Sequence, residues 1–378
     1  MDPSEHLSMI RETARGFAQD RLRPNAGAWD EGHVFPKETI REAAELGLAG
    51  IYVREDVGGS GLSRLDAAVI FEELARGCIT TAAFISIHNM AAWMIDTFGD
   101  PEQRQRFVPK LTSMETMASY CLTEPGSGSD ASALRTTARK DGNSHYVLNG
   151  SKAFISGAPE NDLYVCMVRT GEPGPKGIST VLVEKGTPGL SFGKQERKMG
   201  WNAQPTAQVI FEDCRVPAEN LIATEGFGFK IAMAGLDGGR LNIAATSLGG
   251  ASDAFERALA YAKDRHAFGK AIAEFQATQF KLADMATDLE TARVFLYEAA
   301  RRLDAKDPEA TKFCAMAKRY VTDAGFRVAN EALQIHGGYG YLKDYEVERI
   351  VRDLRVNQIL EGTNEIMRVI ISRELLKG

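Results

Sequence analysis

At 378 residues the chain is too long for a single hydrophobic core, so two or three domains are expected. Its 44% hydrophobic and 25% charged residues exclude a disordered or fibrous chain, and a formal net charge of −6 leaves no basic footprint for nucleic acid or an anionic membrane. The five cysteines (Cys78, Cys121, Cys166, Cys214, Cys314) are scattered and form no CxxC pair, which argues for reduced thiols in an intracellular compartment and against structural zinc.

The amino terminus, MDPSEHLSMIRETARGF, has neither an apolar signal core nor an Arg/Ser-rich transit segment, and no apolar run reaches transmembrane length. A soluble intracellular protein is expected, in bacterial cytoplasm or, for a processed chain, the mitochondrial matrix. Residues 1–117 read as helices, from SEHLSMIRETARGFAQDRL through LDAAVIFEELARG to PEQRQRFVPKLTSM, with DVGGSGLSR as a glycine-rich break. The character changes over 118–225. Asn149-Gly150 lies between two strand-like runs and is a strong hairpin signal, and DLYVCMVRT, GISTVLVEKG and TAQVIFEDCRV are short β-branched strands. No helix-length segment separates them, so an antiparallel sheet or small barrel is expected. From 226 to 378 long, amphipathic, proline-poor stretches predict a helix bundle. The fold class is α+β: an amino-terminal helical domain, a middle antiparallel β-barrel and a carboxy-terminal four-helix bundle.

Several segments are open to two readings. YCLTEPGSGSDAS (120–132) loosely fits a dinucleotide fingerprint, but Pro125 precedes the first glycine and no strand–helix–strand unit follows, which rejects that reading. What remains is a glycine-serine turn, whose exposed N–H groups would also suit a flavin or phosphate. GLDGGRLNIA (235–244) puts adjacent glycines inside a predicted helix, at a cost of roughly 1 kcal/mol each relative to Ala. They mark either close helix packing or a ligand admitted to the backbone, with Arg240 as a donor fork. DRHAFGK (264–270) reads as a charged helix end. In QIHGGYGYLKDY (334–345) a glycine cap ends a helix, and His336 has no partner at metal spacing, so no metal is expected.

QILEGTNEI (358–366) sets Glu361 between an apolar pair and Gly362. Thr363 can cap a last helix over Asn364 to about Leu376, with Glu365 in the first turn facing the positive dipole end. Glu361 is not explained that way. It is either a surface acid in a loop or a carboxylate in apolar surroundings, whose raised pKa would suit a general base.

Taken together, YCLTEPGSGSD, NGSKAFISG, GLDGGR, RHAFGK, QIHGGYGY and ILEGTNEI, in that order, resemble the acyl-CoA dehydrogenase family over essentially the whole chain. GGSGLSRLDAAVIFEELARGC, ISIHNMAAWMIDTFG and GYLKDYEVERIVRD are similar to its members acting on short branched substrates. The resemblance implies a homotetramer with one FAD per subunit. It implies dehydrogenation of an acyl-CoA, isobutyryl-CoA first and butyryl- or 2-methylbutyryl-CoA as alternatives, with electrons passing to electron-transferring flavoprotein; an acyl-CoA oxidase or a non-catalytic flavin- or CoA-binding protein are the readings behind these. Glu361 matches the family's base. The isovaleryl- and long-chain-type members carry that base on the GLDGGR helix, which here offers Asp237 and no glutamate. By the same resemblance Tyr120, Cys121, Leu122, Thr123, Gly126, Ser127, Gly128 and Ser129 line the flavin, with Ser129 also near the CoA. Phe154, Ile155 and Ser156 pack on the isoalloxazine. Arg265, Phe268, Phe275, Gln276, Gln334, Ile335, His336, Gly337 and Gly338 contact FAD, several across a subunit interface. Thr363, Asn364 and Glu365 meet its phosphates. Asp237, Gly238, Gly239, Arg240, Gly362 and Arg373 hold the acyl-CoA.

Overall fold

The computed structural model describes residues 3–377; the first two residues and the last, part of the expected terminal units, lie outside the described residues. Six helices come first: α1 (Pro3–Phe17), α2 (Ala26–Gly32), α3 (Lys37–Glu45), α4 (Arg64–Gly77), α5 (Ile79–Phe98) and α6 (Pro101–Thr112). The glycine-rich break ends at Ser63, which caps α4 in a reciprocal box with Asp66, and Asp100 and Gln103 do the same for α6. Helix α5 is apolar nearly all round and correspondingly buried along almost its whole length.

Eight strands follow: β1 (Ala118–Cys121), β2 (Thr137–Asp141), β3 (His145–Ser156), β4 (Leu163–Arg169), β5 (Ile178–Glu184), β6 (Leu190–Phe192), β7 (Thr206–Pro217) and β8 (Leu221–Ile222). They pair in the order β6-β7-β3-β2-β4-β5-β8. The two halves of this path meet at the single pair Thr137–Arg169 and share a core of Tyr146, Leu148, Tyr164, Val181 and Phe211. Two expectations need correcting. The sheet is not wholly antiparallel, because β1 runs parallel to β4, with Tyr120 opposite Val165 and Cys121 opposite Cys166, and the β2–β4 pair is parallel too. Nor is Asn149-Gly150 a turn. Strand β3 continues through it and the β2–β3 turn falls at 142–144. The ladder with β7 slips between Leu148 and Gly150, making a bulge. Asn149 Nδ2 donates to Asp213 Oδ1 at 3.0 Å and its Oδ1 accepts the Asp213 N–H at 2.9 Å. Gly150 has φ +139°, and a Cβ there would stand 2.7 Å from Thr136 Cα. The local turn preference loses to a long cross-strand partner that buries Leu148 and Ile155 together.

The remainder is helical apart from a hairpin, β9 (His266–Ala267) and β10 (Lys270–Ala271), which occupies the DRHAFGK segment. The helices are α7 (Gly228–Asp264), α8 (Gln276–Asp304), α9 (Ala310–His336), α10 (Val347–Arg355) and α11 (Asn364–Leu375). Thr363 caps α11, its Oγ1 accepting the Ile366 N–H. One core joins the two helical regions: Phe71, Leu74 and Ile85 pack with Leu248, Leu296, Val321 and Leu354. Among the described residues no helix is long and apolar enough to cross a membrane.

Candidate active site

The segment between α10 and α11 reaches the inside of the molecule because both of its ends are pinned. Asn357 is fully buried and donates to Ser247 Oγ on α7 at 2.7 Å. The N–H groups of Ile359 and Leu360 both reach Val356 O. Leu360, like Tyr120, packs on the cluster of Ala83, Ile87, Trp201 and Ile243, whereas Ile359 stays half exposed. Next come two left-handed residues, Glu361 (φ +55°) and Gly362 (φ +88°). The first is costly for a residue with a Cβ, of order 1 kcal/mol, and is held by its surroundings. Arg240 Nε makes a long 3.4 Å contact to Glu361 O, and Lys318 Nζ donates to Gly362 O at 2.7 Å.

The turn delivers the Glu361 carboxyl onto α7 at Gly239. A Cβ on Gly239 would lie 2.7 Å from Glu361 Oε2 and 3.1 Å from Met90 Sδ, so the missing side chain is the space the carboxyl occupies. The residue as a whole is half-buried, but Oε2 is sealed from solvent and has no hydrogen-bond partner. Burial pushes its pKa up to about 7, against the pull of Arg240 and Lys318. The Tyr120 hydroxyl is likewise buried without a partner, and burial together with the Glu361 charge raises its pKa. The Glu361 N–H finds no acceptor among the described residues. A carboxylate near neutrality, an unused N–H and an unpartnered hydroxyl face a largely apolar corner. That set can take a proton from carbon and donate to the oxygen on which charge develops.

Around this corner Arg240 is buried and held by Asp237, Nη1 to Oδ1 at 2.7 Å, and Asp237 also accepts from Thr311. A Cβ on Gly238 would run into the guanidinium of Arg64, which itself lies 3.6 Å over the Tyr52 ring and 4.7 Å over Trp93. Asn364 is buried and bonded to Lys318, Thr322 and Asp323 on α9, while Glu365 and Arg373 are exposed.

The flavin-lining expectations divide. Cys121 and Ile155 are core residues of the sheet, so they can offer a ligand their backbone but not their side chains. Leu122 O and Thr123 O are already taken by Lys152 Nζ and the Ala153 N–H. A Glu124–Ser127 bridge closes the turn, with the Ser127 hydroxyl bonded to Asp130 O. Gly126, Gly128 and Ser129 face outward, and a Cβ on either glycine would meet nothing within 4 Å. Phe154 is 67% exposed at φ +58°, a strained backbone that turns an aromatic ring outward beside the half-buried Ser156. Open glycine backbone and an exposed aromatic ring both suit a flat aromatic group carrying phosphates.

Arg265, Phe268, Phe275 and Gln334 to Gly338 gather elsewhere, at the hairpin and the ends of α8 and α9, with Gln276 opening α8. They border two shallow hollows of about 360 and 350 Å³, neither lined by Glu361. Phe268 is 96% exposed at the hairpin tip and meets Phe275 edge-on at 6.2 Å. Arg265 lies over Tyr339, and His336 stacks on Tyr261 with Nδ1 at 2.7 Å from Ala332 O.

Sequence reasoning passed over Lys318, Tyr52, Arg64, Met90 and Trp201. Lys318 could have been noticed, since it sits in phase with Cys314, Val321 and Gly325 on the apolar stripe of α9.

Three family models match in succession: acyl-CoA dehydrogenase N-terminal domain over residues 4–115, middle domain over 119–214 and C-terminal domain over 226–376. The chain is 59% identical to the mitochondrial isobutyryl-CoA dehydrogenase of Dictyostelium discoideum over 375 residues, 99% of this chain and 90% of that one. It is 56% identical to the mitochondrial isobutyryl-CoA dehydrogenase of Bos taurus over 377 residues, 100% and 90% of the two chains. Among solved structures, butyryl-CoA dehydrogenase from Megasphaera elsdenii superimposes with a TM-score of 0.95 at 39% identity, covering 98% of each chain.

Proposed function

This chain belongs to the acyl-CoA dehydrogenase family, and from that premise we propose that it converts isobutyryl-CoA to methacrylyl-CoA with Glu361 as the base. The observation that carries the chemistry is the buried, unpartnered Oε2 of Glu361, poised near neutrality over Gly239. Glu361 takes the α-proton of the thioester. Its own N–H, without an acceptor among the described residues, donates to the thioester oxygen as charge develops there. Arg240 and Lys318 hold the turn carbonyls so that this N–H keeps its aim. Apolar neighbours Leu360, Ile87, Trp201 and Met90 exclude water, which strengthens each of these interactions.

FAD, when bound, supplies the acceptor for the β-hydrogen as hydride. Supporting its place here are the outward ring of Phe154, Ser156 beside it, and the open backbone at Gly126, Gly128 and Ser129. Asp237, Arg240 and Gly362 are assigned to the acyl-CoA near the reacting carbons, with exposed Arg373 toward its phosphates. The N-terminus of α11 at Thr363, Asn364 and Glu365 is assigned to FAD phosphates. We assign Arg265, Phe268, Phe275, Gln276 and Gln334 to Gly338 to FAD contacts, several of them across an interface in a homotetramer, where a second copy would cover the exposed Phe268. Changes of element type between Thr112 and Ala118 and between Ile222 and Gly228 support units at 1–117, 118–225 and 226–378. Electron-transferring flavoprotein is the proposed acceptor, and the mitochondrial relatives and bacterial likenesses support either the matrix or a bacterial cytoplasm.

A butyryl-CoA preference is the second reading, favoured by the likeness to the Megasphaera elsdenii enzyme. One methyl group is worth only about 1–3 kcal/mol of discrimination, so the pocket decides. The test is anaerobic mixing with isobutyryl-, butyryl- and 2-methylbutyryl-CoA, following flavin bleaching. Fastest bleaching by isobutyryl-CoA, lost in Glu361→Gln, is the expected result. Preference for butyryl-CoA would overturn the substrate, and bleaching retained in Glu361→Gln would overturn the base.

A further inference from the structure

Lys318 is fully buried (0% exposed), yet among the described residues no carboxylate lies within ion-pair distance of it. Its Nζ donates only to neutral oxygens, Gly362 O at 2.7 Å and Asn364 Oδ1 at 2.9 Å. Burying an ammonium without a directly paired anion is expensive, and an apolar side chain of similar length in its place is often neutral or stabilising for the fold. The fold therefore does not explain the lysine, but its target does. Gly362 O belongs to the left-handed pair of residues that carries Glu361, whose Oε2 is buried with no hydrogen-bond partner among the described residues.

We propose that Lys318 is a positioning residue for proton abstraction, its ammonium clamping the Glu361–Gly362 turn and supplying the buried positive charge that keeps the Glu361 carboxylate ionised in the free enzyme. This rests on Glu361 being the base. Burial lowers the Lys318 pKa to about 7, and the Glu361 charge opposes that fall. The other groups facing Glu361 are Arg240 from α7, Tyr120 from β1 and Tyr52; those facing Lys318 are Arg240, Asp323 on α9 and Glu365 on α11. Arg240, the larger of the two positive charges acting on Glu361, is paired with Asp237, and Lys318 adds a second charge that no carboxylate contacts directly.

The test is an infrared titration of the holoenzyme from pH 5 to 9, following the Glu361 carboxyl band identified by its loss in Glu361→Gln. It is run on wild type, Lys318→Met, Lys318→Gln and Lys318→Arg, beside kcat/KM for isobutyryl-CoA. Without the charge, in Lys318→Met and Lys318→Gln, the carboxyl is expected to titrate about one pH unit higher. At pH 6.5 kcat/KM then falls about tenfold, recovering toward pH 9. Lys318→Arg is expected to hold the wild-type midpoint. An unmoved midpoint in the uncharged variants, a loss of rate uniform across pH, or failure of both to fold would assign Lys318 to the fold and overturn the proposal. Flavin bleaching that survives in Glu361→Gln would sink the base assignment itself, a result separable from any behaviour of the Lys318 variants.

Discussion

Gly239→Ala separates the site from the fold more cleanly than removing Glu361 does. The new Cβ would start 2.7 Å from Glu361 Oε2 and 3.1 Å from Cδ. A comfortable carbon–oxygen contact is about 3.3 Å or more, so the carboxyl must retreat by roughly 0.6 Å. The carboxyl and Met90 Sδ, 3.1 Å from the same Cβ, both lie on flexible side chains, so the move costs the fold little, and Ala in place of a mid-helix Gly gains about 0.8–1 kcal/mol of helix propensity. A displacement approaching 1 Å at a reacting group costs up to about a hundredfold in rate, so a ten- to hundredfold loss in the anaerobic reduction rate is expected. Thermal unfolding should occur no lower than in wild type. The control lies on the same helix: a Cβ on Gly249 would drive into the backbone carbonyl of Glu72, which cannot retreat. Gly249→Ala should therefore lose about 1–3 kcal/mol of stability. Wild-type turnover in Gly239→Ala would refute the idea that the glycine exists to seat the carboxyl.

Glu361→Gln should slow the chemical step by about 10²–10⁴-fold while CoA-product binding changes little, measured by stopped-flow bleaching beside calorimetric titration. In the wild type, kcat/KM should fall as pH drops below about 7, because the base is then protonated. Stability carries the opposite sign. The folded-state pKa of Glu361 lies above its unfolded value of 4.5, so its burial penalty grows as pH rises from about 4.5 to 7. Glu361→Gln should thus gain on wild type in urea unfolding over that window, by up to about 3 kcal/mol, and an equal difference at pH 5 and 8 would contradict it. Phe154→Gly relieves a left-handed backbone and should leave the apoprotein as stable or about 1 kcal/mol more so, while weakening FAD retention at least tenfold by fluorescence titration.

Local chemistry was enough to read the order helix, sheet, helix, because each segment's hydrophobic period matches the element it forms. It was also enough for the Thr363 cap, the glycine stop after His336 and the suspicion attached to Glu361, since each depends on residues adjacent in sequence. Asn149-Gly150 misled for a physical reason: a two-residue turn preference is outweighed when β7 offers a long partner ladder with its own apolar face. The parallel pairing of β1 with β4 joins segments more than forty residues apart and leaves no local trace. The Glu361 environment was undecidable from the sequence alone for the same reason. Its proton affinity is set by burial against Gly239 on α7 and by the charges of Arg240 on α7 and Lys318 on α9, which meet only in the folded chain. Sequence named the acid; tertiary packing removed its water, and that desolvation is what raises its pKa to about 7, the range a general base needs.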